Sequence, residues 1–332
     1  MSFKVLRSGL LTTIQDLGRY GYQKYGVNVA GAMDTMAMRI GNILTGNAET
    51  EAVLEMTLTG PTLEFSSDTL IALTGADLAA VIDGVRVKLN RPIAVKTGAV
   101  LKFSSAENGC RGYLAVAGGY NVPAVMNSKS TYVRGNLGGF KGRALKKDDL
   151  VDCGEPGEFA NMLLQQLLQK GARSFRAASW FVNPCYMGKE NFDSPIRITR
   201  GLQTDAYTES SLKALVREPF KIMTNSDRLG YRLQGAKIEL KEPLEMISEI
   251  ATFGTMQVPP DGNPIILMAD HQSVAGYPKI GQVIWADLPR VAQHKPFSHL
   301  RFTFVDVKEA EILYLAQEKY LANLKTAALS KI

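Results

Sequence analysis

Four segments of the 332-residue chain concentrate groups that can do chemistry. The first, Thr12-Thr13-Ile14-Gln15-Asp16-Leu17-Gly18-Arg19, sets a glutamine, an aspartate and an arginine within five positions beside a glycine. Arg19 can clamp a carboxylate through two parallel N–H bonds. Equally, Asp16 can cap the amides of a turn and pair with Arg19. In the second, Gly31-Ala32-Met33-Asp34 is followed by Arg39 and Asn42. Asp34 precedes a helically periodic stretch, where a carboxylate caps a helix. Arg39 and Asn42 are three apart, share a face of that helix and could reach one ligand together. The third, Thr224 to Arg232 (TNSDRLGYR), joins Asp227 and Arg228 beside glycine and Tyr231, although Asn-Ser-Asp also makes an ordinary β-turn. The fourth is densest. Gln257 opens QVPPDG, whose Asp261-Gly262 is a hairpin turn. An apolar strand then runs into Asp270, His271 and Gln272, and a glycine-bearing turn ends in Tyr277-Pro278-Lys279. Polar groups leaving a strand into a glycine loop are a common way to build a site. His271 has the chemistry of a general base, or of a histidine satisfied by its neighbours. The residue types point to a carboxylate or amide site and to no particular reaction.

The elements that would hold these groups are mostly strands. Phe3–Ser8, Thr62–Ser66, Leu70–Thr74, Ala79–Ile82, Val85–Leu89, Pro92–Val95, Val100–Ser104 and Gly112–Val116 read as short strands between glycine turns, with Asp83-Gly84 a hairpin signal. Such spacing predicts a barrel or sandwich. One helix interrupts it at Thr35–Leu44, and Asn161–Lys170 has helical composition before Gly171. Strands resume at Ile196–Arg200, Phe220–Thr224, Tyr231–Leu233, Lys237–Leu240, Ile265–Met268 and Leu300–Phe304, with a short helix at Ala286–Gln293. From Val307 onward there is no proline or glycine, and apolar residues recur at helical spacing, which predicts a long amphipathic helix. The reading is mainly β: a first domain over 1–155, a helical connector over 156–195, a second domain over 196–306 and a helix over 307–332.

Composition narrows the class. Hydrophobic residues are 45% and charged residues 21%, enough apolar content for a core. The net charge of +6 is spread along the chain, with no basic stripe for nucleic acid. Cys110, Cys153 and Cys185 have no metal or redox spacing, which fits a reducing cytoplasm. No run approaches the ~18 apolar residues of a membrane span. Gly188-Lys189 lacks the context of a phosphate loop, and no dinucleotide fingerprint or nucleophile elbow occurs.

The same polar segments carry a resemblance. TTIQDLGR, AGAMD with Met38-Arg39-Ile40-Gly41-Asn42, and Leu54-Glu55-Met56-Thr57-Leu58 before Gly60-Pro61 resemble the N-terminal signature of the allophanate hydrolase subunit 2, or biotin-dependent carboxyltransferase, family. Arg111 to Gly119, Ser130-Thr131-Tyr132, Gly138-Gly139-Phe140, Gly142 to Leu145, Ser226 to Arg232, Gln257 to Gly262 and Asp270 to Pro278 continue it in order. The sequence departs from the family pattern where Ser273-Val274-Ala275-Gly276-Tyr277-Pro278 stands for Thr-Thr-Gly-Gly-Tyr-Pro, and where His271 stands for an arginine.

The resemblance implies two cyclophilin-like β-barrels. It implies an ATP-hydrolysing 5-oxoprolinase activity, opening the lactam of 5-oxo-L-proline to glutamate, in a complex with an A subunit and a KipI-like B subunit. It also admits a KipA-like regulatory binder, or a carboxyltransferase acting on another amide with biotin on a separate protein. On the enzyme reading, Asp16, Asp34 and Asp270 orient the reactants or hold magnesium. Arg19, Arg39, Arg228 and Lys279 then bind anions, and Gln15, Gln257 and Gln272 read the lactam or carboxylate, with Asn42, Tyr231 and Tyr277 beside them.

Overall fold

A computed structural model of the chain describes residues 1–184 and 192–331; Cys185 and the Gly188-Lys189 dipeptide lie outside the described residues. The chain divides into two compact units, one of Met1–Arg19, Ala30–Cys185 and Tyr320–Ile332, the other of Tyr20–Val29 and Tyr186–Lys319. Both are mainly β, as the strand spacing predicts.

The first unit stacks two sheets, each six-stranded among the described residues. Alternation along Thr69–Asp77 shows why they stack. Ile71 and Leu73 face Phe3, Val5, Leu63 and Phe65 of the other sheet in one core. Leu70, one position out of phase, faces Leu163 and Leu167 of a helix. Both faces of this strand are buried, which is why it reads as a continuous apolar run. Truncating Leu73 to alanine would cost about 2–5 kcal/mol, because it leaves a cavity among packed neighbours. Helix α1, Thr35–Thr45, is capped as its sequence requires: the Asp34 side chain accepts from the Ala37 amide, and Gly46 closes the end at φ 74°. Ala37 and Met38 bury against Val53, Tyr113 and Ala115. Helix α2, Glu158–Gln169, covers a neighbouring part of the sheet through Ala160, Leu163 and Leu167. Asp83 (φ 46°) and Gly84 (φ 83°) both adopt the left-handed region, as the two-residue hairpin turn demands.

Among the described residues the second unit has an eight-stranded sheet. Its edge strands are His299–Leu300 and Phe302–Phe304, separated by Arg301 alone. The sheet therefore returns on itself as a nearly closed barrel. Helix α3, Glu209–Arg217, starts at Thr208, whose hydroxyl accepts from the Ser211 amide. Helix α4 is Leu288–Gln293, shorter than expected because Trp285–Asp287 forms a 3-10 turn ahead of it. Helix α5, Val307–Leu329, is the long C-terminal helix. Among the described residues no helix is long and apolar enough to cross a membrane.

Three local expectations change. Lys237–Leu240 is not a strand: its amides go to Gly262 O and Ser211 Oγ, leaving a single bridge from Leu240 to Tyr207. Helix α3 is an element the periodicity did not announce. Asp261-Gly262 lies in a hairpin, between Thr255–Gln257 and Ile265–Leu267, but Pro259 and Pro260 cannot donate to the ladder and lengthen its loop.

Candidate functional site

In the second unit the turn after Phe220–Ile222 and the bend after Ile265–Leu267 meet. Leu229 O accepts from the Met268 amide and Arg228 O from the Asp270 amide. The side chains repeat the tie: Arg228 Nε and Nη2 donate to Asp270 Oδ2 and Oδ1 at 3.0 and 2.8 Å. The two side chains are only 6% and 8% exposed, so this is a buried, two-pronged ion pair. Asp270 O accepts from Asn28 Nδ2 at 2.8 Å, which fixes the 20–29 segment to the same bend. His271 Nδ1 lies 2.8 Å from Gln272 O, an acceptor, so Nδ1 carries the proton and Nε2 is the basic nitrogen. Burial pushes the His271 pKa down, so the ring is neutral at neutral pH. Gln272 itself is exposed, and so is Tyr277.

A second cluster forms where Gln257 and Lys279 sit opposite each other on paired strands. Lys279 Nζ donates to Glu249 Oε2 at 2.9 Å, and Gln203 Nε2 to the same oxygen at 3.2 Å. The hydrogen bonds from Lys279 and Gln203 hold the Glu249 carboxyl below the usual range. Among the described residues no donor reaches Gln257 Oε1, although the residue is only 7% exposed. A buried carbonyl oxygen left so is costly and calls for an N–H or O–H partner. Tyr231 is elsewhere in the unit, its buried hydroxyl 3.4 Å from Ala292 O and His294 O, where it holds the end of α4.

The first unit gathers the N-terminal segment around Asp16. Ser128 Oγ, Ser130 Oγ and the amides of Lys129 and Gly18 donate to its carboxylate at 2.7, 2.5, 2.6 and 2.7 Å. That uses the acceptor capacity of a carboxylate. Arg19, fully buried, donates to Ser130 O rather than to Asp16. The guanidinium enters because Gly138 (φ 67°) has no side chain: a Cβ there would stand 2.5 Å from Arg19 Nη2. Gln15 Nε2 donates to Thr13 Oγ1 and Thr131 O, and no donor among the described residues reaches its Oε1. Arg39 pairs with Glu49, while Asn42 donates to Glu49 O and Glu51 O, so both tie α1 to the loop behind it. Asp34 is the helix cap. Apart from Tyr231, at the end of α4, the predicted residues thus fall into one first-unit group around Asp16, one around α1, and two second-unit clusters.

A buried acid network went unnoticed as chemistry in the sequence. Tyr113 Oη donates to Glu55 Oε2 and accepts from the Asp34 amide, both at 2.8 Å, and the Met33 amide also donates to Glu55. Arg111 Nε is 4.0 Å from Glu55 Oε1. Burial, then the nearby Glu55 and Asp34, push the Tyr113 phenol well above its ordinary value. The available signal was a glutamate inside the apolar strand Val53–Thr57. A cavity of ≈ 450 Å³ in the second unit is lined by Phe192, Asp193, Ser194, His294, His299 and Arg301 among others, and by none of the predicted site residues.

Residues 25–304 match the model of the carboxyltransferase domain, subdomain A and B. The chain belongs to this family. It is 38% identical over 313 residues to the C subunit of 5-oxoprolinase from Haemophilus influenzae, covering 94% of each chain. The corresponding 5-oxoprolinase C subunit of Escherichia coli is 34% identical over 321 residues, with 97% of each covered. The crystal structure of Kluyveromyces lactis urea carboxylase superposes with a TM-score of 0.87 at 29% identity, over all of this chain and 30% of that one. The carboxyltransferase relation expected from the motifs is thereby met.

Proposed function

We propose that this chain is the C subunit of an ATP-dependent 5-oxoprolinase and contributes the groups that read the lactam. The observation that carries the reading is near-full-length similarity, at 38% and 34% identity, to two proteins of that name. The geometry agrees with it in one respect. A lactam presents an N–H donor beside a carbonyl, and Gln257 Oε1 is a buried acceptor with no donor among the described residues.

A lactam carbonyl is a poor electrophile. Transfer of the γ-phosphoryl group of ATP to its oxygen releases ADP and activates the ring carbon. Water adds to that carbon, the ring C–N bond breaks with a proton passing to nitrogen, and a second water attacks the acyl carbon of the resulting acyl phosphate, so that the C–O bond breaks and phosphate leaves with the lactam oxygen. In this scheme Gln257 accepts from the lactam N–H, and Lys279, on the opposite strand, moves from Glu249 to the developing phosphate charge. The neutral His271 takes a proton from water at Nε2. Arg228 and Asp270 hold the two turns in register, and the Asp16 and Asp34 groups do the same in the first unit. Magnesium would arrive on the phosphates of the nucleotide, the usual way this ion reaches such sites.

The match to urea carboxylase favours a second reading, carboxyl transfer to an amide from biotin on a separate carrier. Isotope partition separates the two. With 5-oxoproline carrying ¹⁸O in the lactam carbonyl, the assembled complex should place the label in inorganic phosphate. Label retained wholly in glutamate would refute water attack at the acyl carbon, and turnover that requires biotin and bicarbonate, or that releases no ADP, would overturn the phosphorylation scheme.

A further inference from the structure

Beside the Lys279–Glu249 contact, the second unit carries an exposed ribbon in an acidic stretch of chain. Between Lys241 and Lys279 the sequence contains no lysine or arginine, but five carboxylates: Glu242, Glu245, Glu249, Asp261 and Asp270. Asp270 is buried against Arg228 and Glu249 is paired with Lys279, whereas Glu242 and Glu245 stand exposed ahead of the ribbon. The ribbon consists of two short strands, Glu249–Ile250 and Val274–Ala275, joined to no further strand among the described residues. A lone two-stranded ribbon is marginal in water, and its outer N–H and C=O groups are a template for another strand.

The ribbon has an inner and an outer face. Glu249 turns inward, to Lys279 and Gln203, and so bolts the ribbon to the barrel. Its neighbour Ile250 must then point the opposite way. Ile250 is 78% exposed and directly opposite Val274, which is 51% exposed. Ile247, at 88%, and Leu244 extend the apolar surface along the same segment. Branched apolar side chains paired on an outward face are what a sheet uses to pack, not what a solvated loop selects.

We propose that this ribbon is the docking edge for a separate protein subunit, which adds an extended strand of alternating basic and apolar residues. Strand addition satisfies the open backbone groups and covers Ile250 and Val274; basic side chains on the added strand answer Glu242 and Glu245. A second copy of this chain is disfavoured, since two such edges would bring like charges together. The proposal rests on the multi-subunit reading above only for the identity of the partner.

The test is assembly. The chain is co-purified with the A and B subunits of 5-oxoprolinase and followed by size-exclusion chromatography with light scattering. Ile250→Lys with Val274→Lys, at exposed positions, should leave the fold intact by circular dichroism and weaken assembly by roughly 30-fold or more. Glu242→Lys with Glu245→Lys should weaken it by about tenfold and flatten its salt dependence. Ile312→Lys with Leu315→Lys, exposed on α5, should change nothing. Wild-type affinity in the ribbon variant overturns the proposal. So does a wild-type dimer that the ribbon variant dissolves, because the occupant is then a second copy. If wild type joins neither of those subunits, the functional reading fails and the ribbon is judged by a fluorescent peptide of about eight alternating lysines and valines. Binding that the ribbon variant loses sustains the docking edge, and no binding overturns it.

Discussion

Removing one partner of the Arg228–Asp270 pair should unfold the second unit well before the first. The two side chains are 6% and 8% exposed and share two hydrogen bonds, so neither charge has water to fall back on. Asp270→Asn keeps the backbone bond from Asn28 and nearly the same volume, but removes the carboxylate charge that receives Arg228 Nε and Nη2. Breaking such a pair costs about 3–5 kcal/mol, whereas replacing both members by apolar groups of similar size is close to neutral. At ~2–4 °C per kcal/mol for a unit of this size, the single variant should melt on the order of 10 °C lower. Arg228→Met with Asp270→Leu should recover most of that loss. The two tryptophans make the assay specific, because Trp180 belongs to the first unit and Trp285 to the second. In a Trp180→Phe background, urea unfolding followed by fluorescence reports Trp285 alone, at its edge-on contact with Phe253. A single-variant cost under about 1 kcal/mol, or a double variant worse than either single, would refute the view that this pair is a buried structural bolt.

Other outcomes follow from the same geometry. Tyr113→Phe strips Glu55 of its phenol donor in a fully buried setting and should cost about 1–3 kcal/mol in chemical denaturation, with the first unit affected. Gln257→Leu removes a buried carbonyl oxygen that has no donor among the described residues, so thermal stability should hold or rise. Turnover of the assembled enzyme should nonetheless fall by about 10- to 100-fold, read by steady-state kinetics. Burial holds His294 at about 4, below its ordinary 6.5, with Phe192 stacked at 4.2 Å. Between those values the unfolded chain binds a proton that the folded chain refuses. Stability should therefore fall as pH drops from 6.5 towards 4, by about 3 kcal/mol in all, and level off below. His294→Gln should flatten that part of the pH profile measured by urea midpoints.

Much of the fold was legible because local signals agreed with it. Asp34 and the apolar spacing after it specified α1 to within a residue, and Asp83-Gly84 specified a tight hairpin. The long C-terminal helix followed from an uninterrupted periodic run. Helix α3 was missed because ESSLKALVR buries little, with Ser211 and Leu215 its buried residues, so its apolar stripe is thin. The site was harder to read. The four polar segments were visible as glycine-bordered clusters, but sequence spacing could not pair Arg228 with Asp270, 42 positions apart, or Asp16 with Ser128 and Ser130. Those partners meet only through sheet register. Asp16 and Arg19 could be seen as neighbours, yet the fold sends them to different groups of the 128–131 loop, a choice that depends on space left by Gly138.

The central claim is tested most directly by reconstitution. The chain is combined with the A and B subunits of 5-oxoprolinase, and 5-oxoproline-dependent release of ADP and glutamate is measured with each component omitted in turn. Coupled release of both products that disappears when this chain is left out is the predicted result. Full turnover without it, or an assembled complex that leaves 5-oxoproline untouched, would contradict the account.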